Sequence, residues 1–269
     1  MHPDGRIVIS TGYEVTRLMA NGQLDNSFAA SSVYGTISAL QLLATGKILV
    51  GGCWDYFNTT TLHALVRLQP DGQLDPSFSS PIQSAQDSRA DQILVQPDGK
   101  IVTGGYLGYN VPENEALGLI RVLPDGALDK TFTAVLRALS VFGSPLINSI
   151  VLQPDTQILP AIFTKGIIRK QTNGQSDASF NATFGNNFFN ASVQNIKLQS
   201  DGKILVAGYF SSVNGQPVTG LARLLAPNVL HVVQCPAGRP HPSLARARPL
   251  RATPLTRRRC PAAVGATAR

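Results

Sequence analysis

The chain has 269 residues, 43% of them hydrophobic and only 14% charged, against a usual charged share of ~25%. That is apolar chain enough for a sizeable core in one large all-β domain or two ordinary ones, and no run of about 18 apolar residues is present to make a transmembrane helix. The formal charge of +7 points to nucleic acid only until it is divided: residues 1–226 hold 15 basic and 16 acidic side chains, and residues 227–269 hold eight Arg and no acid, so no nucleic-acid partner is expected for 1–226.

In chain order, the first element is a turn followed by an apolar run, Pro3-Asp4-Gly5-Arg6-Ile7-Val8. It returns as Thr45-Gly46-Lys47-Ile48-Leu49-Val50, as Pro97-Asp98-Gly99-Lys100-Ile101-Val102, as Pro154-Asp155-Thr156-Gln157-Ile158-Leu159 and as Asp201-Gly202-Lys203-Ile204-Leu205-Val206. A second signature alternates with the first. It places Arg17, Asp25 and Phe28 around Asn21-Gly22, then Arg67, Asp75 and Phe78 around Asp71-Gly72. It continues with Arg121, Asp129 and Phe132 around Asp125-Gly126, and with Arg169, Asp177 and Phe180 around Asn173-Gly174. A fifth copy begins at Arg223-Leu224 and stops.

Within the second signature Arg precedes Asp by eight residues and Phe by eleven in every complete copy, whereas the step from first turn to Arg is 12, 21, 22, 13 or 21 residues. A fixed frame with one extensible connection is how tandem-repeat folds behave. Asp-Gly and Asn-Gly between apolar runs are strong hairpin signals, because both residue types accept the positive φ such turns require. Each unit of about 50 residues therefore reads as four short antiparallel strands, the size of one propeller blade. The expected fold is all-β, with β-propeller-like tandem repeats at about 1–28, 29–78, 79–132, 133–180 and 181–226. Counted this way there are 18 strands, or about 4.5 blades. Such an arc leaves open edges, and the chain is expected to be a fragment of a longer propeller whose remainder would be its partner.

The tail, 227–269, is rich in Pro, Arg and Ala. It reads either as a basic arm for an anionic partner or as a shifted reading frame, and low order is expected there. Cys53, Cys235 and Cys260 make neither a disulfide framework nor a metal cluster. Met1-His2-Pro3-Asp4-Gly5 lacks the pattern of a signal peptide.

The repeated pairs Arg17/Asp25, Arg67/Asp75, Arg121/Asp129 and Arg169/Asp177 are expected to be structural, each facing its partner across a hairpin turn. A Ca²⁺ role for Asp71 with Asp75, or Asp125 with Asp129, needs more oxygens than the two carboxylates supply. No catalytic motif, metal site or cofactor fingerprint occurs, so no cofactor and no enzyme activity are expected; the alternative is a polysaccharide-acting hydrolase or lyase on the same scaffold. The binding role is assigned to long loops that follow one strand of each repeat and should gather on one rim. Their candidate contacts are Trp54, Asp55, Tyr56, Phe57, Tyr106, Tyr109, Tyr209 and Phe210, suited to a glycan or protein.

The paired motifs, Gln96 to Gly105 and Arg67 to Phe78, resemble the delta-60 repeat family of bacterial proteins. The resemblance covers about residues 1–226. It implies a β-propeller within a long secreted or cell-surface protein, working as a structural or interaction module.

Overall fold

The structure is a computed structural model that describes residues 4–62, 64–82, 88–107, 117–134, 147–163, 166–180, 182–186, 191–225 and 232–234. The first signature folds as sequence chemistry requires. Gln96 N donates to Lys100 O at 2.8 Å and Gly99 N to Gln96 O at 2.9 Å, while Gly99 sits at φ 81°. This is a type I turn closed by one left-handed residue, with Pro97 presetting the first corner.

Five antiparallel units follow from these turns. The first holds β1 (Ile7–Ser10) and β2 (Glu14–Leu18). The second holds β3 (Ser31–Leu42), β4 (Ile48–Phe57), the short β5 (Thr60–Thr61) and β6 (Leu65–Leu68). The third is β7 (Arg89–Val95), β8 (Ile101–Leu107) and β9 (Leu117–Val122), and the fourth β10 (Ile147–Leu152), β11 (Ile158–Ile162) and β12 (Gly166–Ile167). Between the fourth and fifth lies β13 (Phe184–Gly185). The fifth unit is β14 (Ser192–Leu198), β15 (Ile204–Tyr209), the hairpin β16 (Ser212–Val213) and β17 (Gln216–Pro217), β18 (Leu221–Leu224) and β19 (Val232–Gln234). The fourth segment of each repeat is shorter than expected. It shrinks to a single bridge, Leu18↔Leu24, Leu68↔Leu74, Val122↔Leu128 or Lys170↔Ser176. The strand β19 pairs with β18 through Arg223↔Val233, beyond the expected boundary at 226; the rest of the tail lies outside the described residues.

Each unit is a blade, and the core lies between blades rather than within them. Strand residues alternate in direction. Ile48, Val50, Val66 and Leu68 pack with Val15 and Phe28 of the blade before, while Leu49 and Leu65 pack with Ile101, Ile120 and Val122 of the blade after. The same arrangement recurs at the third and fourth junctions. An internal blade is buried on both faces, so β6 is buried at all four positions.

Blade four departs from the others. Lys170, 2% exposed, stands where its neighbours carry Leu18, Leu68 or Val122, and its Nζ donates to Ser176 Oγ at 3.0 Å. Its first turn puts Thr156 at φ 65° where the other copies use Gly. A β-branched residue in that region is strained. Thr156→Gly is therefore expected to raise stability by roughly 0.5–1 kcal/mol, the relief of strain outweighing the greater freedom of Gly when unfolded. A shift of the urea midpoint at constant slope would register it; an unchanged or lower midpoint would mean the threonine makes contacts worth more than its strain.

Candidate functional site

A blade has two ends. The first and second turns both lie at one, and the opposite end carries the connections from second to third strand and from blade to blade. At the turn end the second signature builds the same cluster four times. Arg67 Nε donates to Asp75 Oδ2 at 2.6 Å, its Nη2 to Ser77 Oγ at 3.1 Å, and its Nη1 to the Pro124 carbonyl of the next blade. Arg17 likewise meets Asp25 at 2.7 Å and the Pro70 carbonyl at 2.5 Å. Arg121 meets Asp129 at 2.8 Å and the Thr172 carbonyl at 2.6 Å. Arg169 meets Asp177 at 2.8 Å. The guanidinium lies 4.6–5.1 Å from the Phe28, Phe78, Phe132 or Phe180 ring centroid, a cation–π distance.

The two signatures meet at the same carboxylate. Lys47 Nζ donates to Asp75 Oδ2 at 2.8 Å, Lys100 Nζ lies 3.6 Å from Asp129, and Arg6 lies 3.7 Å from Asp25. Blade four has Gln157 at that position. The other oxygen, Oδ1, accepts from the hydroxyl and backbone N–H two residues on, as Ser77 does at 2.7 and 3.1 Å. These carboxylates are engaged by nitrogen and hydroxyl donors. Among the described residues no group of three metal-ligating side chains assembles.

The donors hold the acids ionised. The hydrogen bond from Ser27 lowers Asp25 to about 2, with Arg17 adding to it. Burial pushes Asp129 up, but Thr131 and Arg121 outweigh it and leave it at about 2. Burial also opposes ionisation of Asp75, and the hydrogen bonds from Lys47, Ser77 and Arg67 carry it below the usual carboxylate range. Asp177 is lowered too, chiefly by Ser179. An unfolded Asp titrates near 3.9, so the unfolded chain binds more protons than the folded one as pH falls below about 4. Stability should thus be flat above pH ~4 and fall as pH drops from there toward ~2. Asp75→Asn should lower stability at neutral pH and make this acid slope shallower, followed by thermal midpoints at stepped pH; an unaltered slope would exclude Asp75 from the linkage.

At the opposite end the structure redistributes the aromatic candidates. Trp54 and Phe57 are 1% and 0% exposed and Phe210 is 2% exposed. They are not loop contacts. Cys53 to Phe57 continue β4, and a register shift between the pairs Gly35↔Trp54 and Val33↔Phe57 brings Trp54 and Phe57, three residues apart, into the same junction between the first two blades, 5.9 Å apart. Phe210 packs edge-on against Phe184 at 5.2 Å. Asp55 is half-buried. Tyr56 and Tyr209 face solvent at 40% and 71%. Tyr106 is the penultimate residue of β8, at the same end, and Tyr109 lies outside the described residues. Two tyrosines not singled out in the sequence join them: Tyr13 at 62% and Tyr34 at 47% exposure. The signal for Tyr34 was the alternation at the start of β3, where Val33 is buried and Tyr34 is not.

Two asparagines shape this end. Asn58 and Asn214 sit at φ 53° and 49°. Asn58 Oδ1 accepts from Ser32 N at 2.9 Å and its N donates to Ser32 O at 2.7 Å; Asn214 does the same with Thr183, at 2.9 Å each way. Each clamps the incoming inter-blade connection onto a hairpin. Cys53 is disulfide-bonded, although three scattered cysteines read as no disulfide framework. A cleft of about 490 Å³ lies on the turn end between blades three and four, lined by Gln96, Lys100, Arg121, Thr156 and Thr172 among others.

Comparison with known proteins agrees with this architecture. The family model "Domain of unknown function (DUF5122) beta-propeller" matches residues 2–28, 43–78, 96–132 and 199–227. Among curated proteins none matches. The fold is similar to virginiamycin B lyase from Staphylococcus aureus, with a TM-score of 0.55 at 12% identity, over 88% of this chain and 69% of that one. It is also similar to the WD40 β-propeller domain of Doa1, with a TM-score of 0.50 at 13% identity, over 79% of this chain and 60% of that one. At such identities the likeness is one of fold alone. The chain is a β-propeller repeat protein.

Proposed function

We propose that the chain is a non-enzymatic interaction module of a larger secreted or cell-surface bacterial protein, that its repeats are delta-60 repeats, and that it binds a glycan or protein through the loop end of its blades. One observation carries this reading: Tyr13, Tyr34, Tyr56 and Tyr209, the exposed aromatic side chains among the described residues, all stand at that end, while the turn end spends its charged groups on itself. Tyrosine offers a large rigid face with a polar tip, which suits stacking on a sugar ring or packing in a protein contact. No helix among the described residues is long and apolar enough to cross a membrane.

The test separates surface from core. Tyr34→Ala, Tyr56→Ala and Tyr209→Ala should leave the thermal midpoint nearly unchanged and weaken binding to a ligand drawn from an oligosaccharide panel by about tenfold each, the effect of ~1.4 kcal/mol. Trp54→Ala should instead cost about 3–5 kcal/mol of stability. Undiminished ligand binding by the three tyrosine variants would overturn the assignment of this end.

A further inference from the structure

The molecule's two outer blades expose faces that every inner blade covers. On blade one Ile7, Ile9, Thr16 and Leu18 are half-buried, although their equivalents Ile48, Val50, Val66 and Leu68 are 0–4% exposed. On blade five Leu221 is 45% exposed where its equivalent Leu65 is 1% exposed, and Leu205 is half-buried where Leu49 is 0%. Each internal junction shows what fits such faces: the forward face of one blade against the backward face of the next, four times over.

The polar contacts of those junctions are just as regular, and on blade one they are open. Ala29 N donates to Asp71 O at 2.7 Å, Ser79 N to Asp125 O at 2.9 Å and Thr133 N to Asn173 O at 2.9 Å. The turn glycine beside each acceptor is pressed by the connection arriving from the preceding blade: a Cβ on Gly72 would lie 2.4 Å from Ala29 O, and one on Gly126 2.6 Å from Ser79 O. Gly22, the equivalent on blade one, has nothing within 4 Å, and Leu24 beside it is 58% exposed. On blade five Arg223 is half-buried, whereas Arg67 and Arg121 are buried.

We infer that these two faces are docking surfaces for further blades of the same repeat, about two of them, which close the ring. The blade that meets blade one carries Arg, then Asp eight residues on and Phe eleven on, and its guanidinium reaches the carbonyl of Ala20, the counterpart of Pro70. The blade that meets blade five offers a turn carbonyl to Arg223 and apolar side chains to Leu205 and Leu221. The number follows from size: five blades cover 69% of the virginiamycin B lyase chain, which leaves space for about two more. A second copy of this chain fits less well, since eight and eleven residues after Arg223 its sequence has His231 and Gln234 where the motif needs Asp and Phe.

The test extends the full chain by a copy of residues 29–153 set ahead of Pro3, so that Gln153 of the copy reads into Pro3-Asp4-Gly5 without breaking the repeat. Hydrogen exchange is followed at 4–18 and at 221–225. Both segments should exchange about tenfold more slowly than in the unextended chain, since local opening is suppressed where a junction forms. A shorter extension, residues 29–96, should protect 4–18 and leave 221–225 as it was. Equal exchange in extended and unextended chains, with β-sheet content by circular dichroism rising with the added length, would overturn the proposal. So would an unextended chain that is dimeric by light scattering and already protected at both segments, which would make the second copy the occupant.

Discussion

The structure depends on one side chain that serves four partners at once. The guanidinium of each repeated Arg offers donors in a fixed planar fork. One nitrogen fixes the turn of its own blade by holding Asp25, Asp75, Asp129 or Asp177. Another leaves the blade and takes a main-chain carbonyl of the next, at Pro70, Pro124 or Thr172. The planar face lies on the Phe that ends the motif. Lysine, with its point charge on a flexible stem, offers neither the fork nor the face. The invariant spacing of eight and eleven residues follows directly, because the Asp and the Phe must reach two sides of one rigid group.

This cluster also explains why ionised residues are tolerated in a nearly dry junction. An unpaired charge there would be costly. Arg67 and Asp75 are 9% and 4% exposed, yet the carboxylate accepts from Arg67, Lys47 and Ser77, and the fork is shared among a carboxylate, a hydroxyl and a carbonyl. Such an arrangement adds geometry more than net stability. Hydrophobic contacts between blades are non-directional and would permit a blade to slide or tilt. A carbonyl on the next blade, taken at hydrogen-bond distance by a guanidinium locked in this one, fixes the offset between them.

The sequence made this part legible because the constraint is local and repeated. Turn, Arg, Asp and Phe lie within twelve residues, and four copies display the spacing. What it concealed was long-range. That Arg67 reaches Pro124 depends on blades meeting in space, and no pattern within one repeat records it. Burial of Trp54 and Phe57 was hidden for a related reason. Cys53-Trp54-Asp55-Tyr56-Phe57 follows a Gly-Gly pair and reads as a loop, but the glycines mark close approach rather than strand end: a Cβ on Gly52 would lie 2.1 Å from Thr36 O. The strand runs on through them, and the register shift between Trp54 and Phe57 turns both of these inward and leaves Tyr56 outward.

The same division of labour between ends bears on how such a protein can vary. Every group that couples blades at the turn end belongs to a fixed spacing, so a substitution there disturbs two blades at once. The step from first turn to Arg, which ranges from 12 to 22 residues, runs through the opposite end, where Asn58 and Asn214 clamp a hairpin to the incoming chain by bonds confined to that hairpin and its neighbour. Loop length and exposed side chains can change there without moving an Arg or an Asp. The scaffold thus confines its rigid chemistry to one end and leaves the exposed tyrosines at the other on supports that tolerate change.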